Sequence, residues 1–164
     1  MLFGSKAAPS FLFPVTFLLP DNTLCVAVQL WPHTHSFLAA NKLAMKFDWQ
    51  ANKETYLPSL KYRVNYPWSA GSAALALTPE NSYTPEVVLF GGSNLDDQVD
   101  PSQLSSQTPA ISTAARMRLD DTGIAAGWQY EQMPSARIMG GVVQLPDGKL
   151  LIVNGAQTGA AGCA

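Results

Sequence analysis

The residues most able to do chemistry in this chain are its only two histidines, His33 and His35. A His-x-His pair on a strand points both imidazoles to one side, the arrangement that divalent metals favour. A working site needs a third ligand, and no Cys, Asp or Glu stands close by in sequence. The pair therefore reads as part of an exposed loop together with Trp31 and Pro32. The two cysteines, Cys25 and Cys163, lie far apart with no C-x-x-C spacing, which excludes a zinc ribbon and a disulfide-dense scaffold. One long-range disulfide and two unpaired thiols both remain compatible with them. Asp96-Asp97 and Asp120-Asp121 read as turn carboxylates rather than an acid–base pair. Ser102, Ser105 and Ser106 lack a Gly-x-Ser-x-Gly setting and a positioned His, so no serine nucleophile is expected. Trp49, Trp68 and Trp128 read as packing residues, and Arg116, Arg118 and Arg137 as structural ion-pair or hydrogen-bond donors.

Composition bounds the frame that must position these groups. The chain has 164 residues, 47% of them apolar and only 13% charged, with a formal net charge of −2. Charged residues reach about half the usual share of a soluble domain, which suits a β-rich body whose faces are covered. No basic stripe exists to neutralise phosphates, so nucleic acid is not an expected partner. No apolar run reaches about 18 residues, so no membrane span is expected. Met1 to Leu19 is apolar, but Lys6 is its single base and Pro9 and Pro14 interrupt it. It reads as a strand entering a sheet rather than as a signal peptide.

Twelve Gly and twelve Pro punctuate short apolar runs, the pattern of strands joined by turns. Strands are expected at Phe11–Leu19, Leu43–Trp49, Glu54–Leu57, Ser72–Leu77, Glu86–Phe90, Arg116–Leu119, Trp128–Met133, Ile138–Leu145 and Lys149–Val153. Pro146-Asp147-Gly148 carries the strongest hairpin signal, a tight turn with positive φ at Asp147 and Gly148. A single helical turn is expected over Asp121–Ala126, capped by Asp120 or Asp121 and closed by Gly127.

An internal echo runs through these elements. Leu18-Leu19-Pro20-Asp21-Asn22-Thr23-Leu24 matches Gln144-Leu145-Pro146-Asp147-Gly148-Lys149-Leu150. Strands also close on small residues at Phe90-Gly91-Gly92-Ser93 and Val153-Asn154-Gly155-Ala156. Such repeats, at roughly 40–60 residue spacing, mark kelch-type propeller blades. A plain β-sandwich would leave the echo a coincidence.

Longer strings carry a resemblance. Phe13 to Asp21, Leu77 to Val87, Phe90 to Ser93, Pro101 to Ala110, Gly127 to Pro134 and Leu145 to Ala156 resemble, in order, the propeller of glyoxal oxidases. The resemblance implies an all-β fold: residues 1–164 as two to three antiparallel blades of a partial kelch-type β-propeller, cut from a seven-bladed parent. It implies an extracellular copper-radical oxidase that turns small aldehydes into carboxylic acids and reduces oxygen to hydrogen peroxide. It implies a copper ion held by two tyrosines and two histidines, with one tyrosine cross-linked to cysteine. The strings that carry those groups are a Phe-Cys, an Arg-Trp-Tyr and a Tyr-His, and none occurs here. No catalytic, cofactor-binding or metal-binding residue is therefore carried over. Copper and the Cys-Tyr cofactor are expected only in the full-length parent. The expected partners are the remaining blades, or further copies of the chain. The alternative function is a stand-alone β module that binds a glycan or a protein.

The departure from the family pattern is Cys25 to Ser36, which separates Leu24 from the strand-like Phe37-Leu38-Ala39-Ala40-Asn41. Twelve extra residues must loop out if the register of the blade is to survive. Residues 25–36 read either as an inserted surface loop or, in a second hypothesis, as translated non-coding sequence. On the second hypothesis the mature transcript is expected to lack their codons, and a message that carries them contradicts it.

Overall fold

The computed structural model describes residues 15–28, 42–95 and 105–161. Among the described residues, ten strands form three antiparallel sheets. The first is the meander β1 (Val15–Leu18), β2 (Leu24–Val28), β3 (Leu43–Asp48) and β4 (Lys53–Tyr56). The second repeats it with β5 (Gly71–Ala74), β6 (Glu86–Phe90), β7 (Thr113–Arg118) and β8 (Gln129–Gln132). The third is the hairpin β9 (Gly141–Gln144) and β10 (Leu150–Val153). The fold is an open, partial β-propeller: two four-stranded blades followed by two strands of a third.

The echo seen in sequence is an echo in structure. In the first blade Asn22 N donates to Leu19 O at 3.0 Å and Leu19 N to Thr23 O at 2.8 Å. In the third sheet Gly148 N donates to Leu145 O at 3.0 Å and Leu145 N to Lys149 O at 2.8 Å. Asp21 and Asp147 each accept the backbone N–H two residues on. Of the turn Pro146-Asp147-Gly148, however, only Gly148 takes a positive φ, at 81°. The expected two-residue turn is instead a three-residue loop, with proline entering and a left-handed residue leaving it. Asn22, at φ 61°, fills the left-handed position in the first blade.

Alternation along the strands decides what each face meets. Val87 and Leu89 of β6, with Ala115 and Met117 of β7, face the first blade and pack with Leu19, Cys25, Ala27 and Ala44. Their neighbours Val88, Phe90 and Ala114 face the other way and pack against Val142, Leu150 and Ile152 of the hairpin. The second blade is thus buried on both faces, which is why Glu86–Phe90 reads as a nearly unbroken apolar run. On the hairpin's far face Val143 and Leu151 remain 51% and 47% exposed.

Two further expectations change. Cys25–Val28 do not loop out: they form β2 and pair in register with β1 and β3. Cys25, Val26 and Ala27 are buried, since small and β-branched residues continue the pattern begun at Leu24. Residues 29–36, and the expected strand 37–41, lie outside the described residues. β7 begins at Thr113, three residues before the expected Arg116, because Ala114 and Ala115 pack well but give a weak apolar signal. The helix α1 (Asp121–Ala126) forms as expected, with Asp120 as its cap: Gly123 N donates to Asp120 Oδ1 at 2.8 Å.

Stacking of this kind makes a sharp mutational contrast. Leu89→Ala or Met117→Ala, both in the contact between the first two blades, should cost about 2–5 kcal/mol. Val143→Ala on the open face should stay within about 0.5 kcal/mol. Urea midpoints of the variants, compared at one fixed protein concentration, read the difference, and equal shifts would contradict the stacked arrangement.

Candidate functional site

Among the described residues, a dense set of side-chain contacts lies not on a strand but in the link between blades. Connections usually run over the surface, because buried backbone must find internal partners. The stretch from Leu57 to Ala70 is an exception: Leu57, Leu60, Tyr62, Arg63, Val64, Asn65 and Trp68 are all buried. Leu57 N donates to Ala44 O at 2.9 Å and Leu60 N to Lys42 O at 2.7 Å, fastening the link to the first blade. Asn65 Nδ2 donates to Ala27 O at 2.9 Å, on β2. Arg63 and Ser93 exchange both backbone bonds, at 2.8 and 3.0 Å, beyond the end of β6. Ser69 O accepts from Met139 N at 2.6 Å and Pro67 O from Ala161 N at 2.8 Å, next to the third sheet. One link therefore bonds to the first blade, to the chain beyond β6 and to the residues that precede β9 and follow β10.

This explains the small residues that close β6. A Cβ on Gly92 would stand 2.1 Å from Arg63 O, and one on Gly91 1.8 Å from Arg137 O. Both glycines also take positive φ, so no other residue serves there.

Aromatic and cationic side chains complete the link. The Arg63 guanidinium lies over the Trp68 ring at 4.6 Å, and Lys61 Nζ over Tyr130 at 4.5 Å. Tyr62 meets Tyr130 edge-on at 5.8 Å and donates to Thr113 O. Burial, and then Tyr130, push the Tyr62 phenol well above its ordinary range. Trp128 Nε1 donates to Pro58 O at 2.7 Å. Trp68 and Trp128 thus pack as expected. Trp49 does not: it is 52% exposed, and its Nε1 donates to Asn22 O across two turns of the first blade.

The other candidates have structural partners. Arg116 lies 2.9 Å from Glu131 and 3.6 Å from Glu86. Arg118 pairs with Asp120. Arg137 donates to Asn154 O and Ser135 Oγ, each at 2.8 Å. Ser105 Oγ accepts from Gln107 N in a local turn. His33, His35, Asp96, Asp97, Ser102 and Cys163 lie outside the described residues. Cys25 is a buried free thiol, pushed up to about 12 by burial, with Lys46 opposing only in part. Among the described residues no three His, Cys, Asp or Glu side chains come together. Nor is any helix among them long and apolar enough to cross a membrane.

A cleft of about 450 Å³ opens between the second blade and the hairpin. Leu75, Val88, Phe90, Ala114 and Leu150 make it apolar, and Arg116, Glu131 and Lys149 add charge.

The chain matches the family described as "Glyoxal oxidase N-terminus" over residues 7–164. It belongs to the glyoxal oxidase family. It is 37% identical over 162 residues to "Aldehyde oxidase GLOX" of Vitis pseudoreticulata, covering 97% of this chain and 29% of that protein. It is 30% identical over 151 residues to "Aldehyde oxidase GLOX1" of Arabidopsis thaliana, covering 87% of this chain and 24% of that protein. The chain therefore spans under a third of the length of these glyoxal oxidase relatives. Trp68 and the glycines were legible as packing and turn residues. The linking roles of Tyr62 and Asn65 were not, since a buried link carries no periodicity to reveal it.

A thiol held neutral and covered should resist alkylation. With Cys163→Ser in place, iodoacetamide at pH 8 should label Cys25 at least about 100-fold more slowly than in the urea-unfolded chain. Equal rates would contradict its burial.

Proposed function

We propose that this chain is a propeller segment of a copper-radical, glyoxal-oxidase-like enzyme, and that aldehyde oxidation is carried out by residues outside it. The match over residues 7–164, to relatives more than three times as long, is the observation that carries this reading. The described residues do not fit a copper centre. They bring together no set of three imidazole, thiol or carboxylate donors, and burial keeps the one described thiol protonated. In the longer protein, copper and the tyrosine–cysteine cofactor would supply the redox chemistry from other blades. The contribution of this segment is to set blade spacing and orientation through the Leu57–Ala70 link. An extracellular location, with small aldehydes as substrates and peroxide as co-product, goes with the same reading.

The apolar cleft beside β10 supports the need for further polypeptide. In the first two blades the second strand, β2 or β6, is flanked by a third strand, β3 or β7. β10 holds the same place in the third sheet and pairs only with β9 among the described residues. Its free edge and the apolar cleft beside it suit the outer strands of a completed blade. Made alone, the chain should self-associate, because repeat folds need neighbours to cover their faces.

Two measurements on the purified chain test this. Metal analysis with a peroxide-release assay on small aldehydes should find no bound copper and no peroxide. Sedimentation should show association. Stoichiometric copper, or a stable monomer with one cooperative unfolding transition, would contradict the proposal.

A further inference from the structure

The link between the blades holds two buried polar atoms with no hydrogen-bond partner among the described residues, Asn65 Oδ1 and Trp68 Nε1. Their residues are only 2% and 1% exposed. Both belong to one four-residue turn, closed by Trp68 N donating to Asn65 O at 2.9 Å. Such a turn brings the Cα atoms of its end residues within about 7 Å of each other. The Asn65 amide cannot simply be flipped. Its Nδ2 donates to Ala27 O at 2.9 Å, and the reverse orientation would set two oxygens against each other. What remains is an acceptor on Asn65 and a donor on Trp68, whose indole can only donate.

The surroundings offer little relief. Trp68 packs with Ile138 and Ala160, and the Arg63 guanidinium covers its ring. Buried polar groups without a protein partner carry the full penalty of desolvation. In native proteins they are characteristically met by ordered water.

The chemistry of the two atoms restricts what can satisfy both. An anion could accept from Trp68 but would be repelled by Asn65 Oδ1. A cation could approach Asn65 but would meet an N–H dipole, with the Arg63 charge close by. A small neutral molecule that both donates and accepts suits the pair. We propose that an internal water is bound between Asn65 Oδ1 and Trp68 Nε1, as an integral part of the link between the blades. It extends the hold of Asn65 on β2 to the indole, which packs with Ile138 and Ala160.

A crystal structure of the chain, alone or within the longer polypeptide, tests this at a resolution that shows ordered solvent. The expected result is one density peak about 2.7–3.2 Å from both atoms. Two dry atoms, or bonds from both to protein groups, would overturn the proposal. In solution, the indole proton of Trp68 should show cross-relaxation with a long-lived water, lost in Asn65→Leu. Persistence of that signal in the variant would remove Asn65 from the site and also overturn the proposal. If Asn65→Leu does not fold, the wild-type structure decides alone.

Discussion

The constraint on which the rest of this structure depends is the burial of the chain between β4 and β5. Sheets stacked face to face are held by apolar area, a force with little directional preference. Such contacts set that blades touch but not how they are turned about one another. The Leu57–Ala70 link supplies the missing direction. Its backbone bonds to Ala44, Ser93, Met139 and Ala161, with the Asn65 bond to Ala27, are short and specific. Hydrogen bonds contribute modestly when made but cost more when buried and left unmade, so a misaligned blade would strand several of them.

Strand chemistry follows from that arrangement. Each strand of the second blade needs an apolar residue at every position that meets a neighbouring blade, and β6 supplies them on both faces. The turns need a left-handed residue at one position only. Asn22 and Gly148 fill it in the two echoed turns, while the aspartate before each ties the loop to the next amide. Gly91 and Gly92 answer a separate demand, the close approach of the Arg137 and Arg63 carbonyls. A repeat in sequence is thus a repeat of physical problems.

Much of this was legible beforehand. Glu86–Phe90, the capped helix at Asp121–Ala126 and the hairpin around Asp147-Gly148 follow from periodicity, capping and turn chemistry, which act locally. Cys25–Val28 escaped because comparison with a family pattern outweighed the apolar alternation of the residues themselves. Ala114 and Ala115 escaped because a methyl group packs closely without a strong apolar signal. The link between blades was hidden for a deeper reason. Its burial is decided by distant partners, as in the Asn65–Ala27 bond across 38 residues and the Pro67–Ala161 bond far along the chain, and no local window contains them.

Native-state hydrogen exchange tests the central place of the link most directly. The amides of Leu57, Leu60, Arg63, Trp68, Ala70 and Ser93 should be protected as strongly as those in the middle of β6 and β7, and should open together with them. Exchange of these amides at the rates of an exposed loop, while the strands stay protected, would contradict the account.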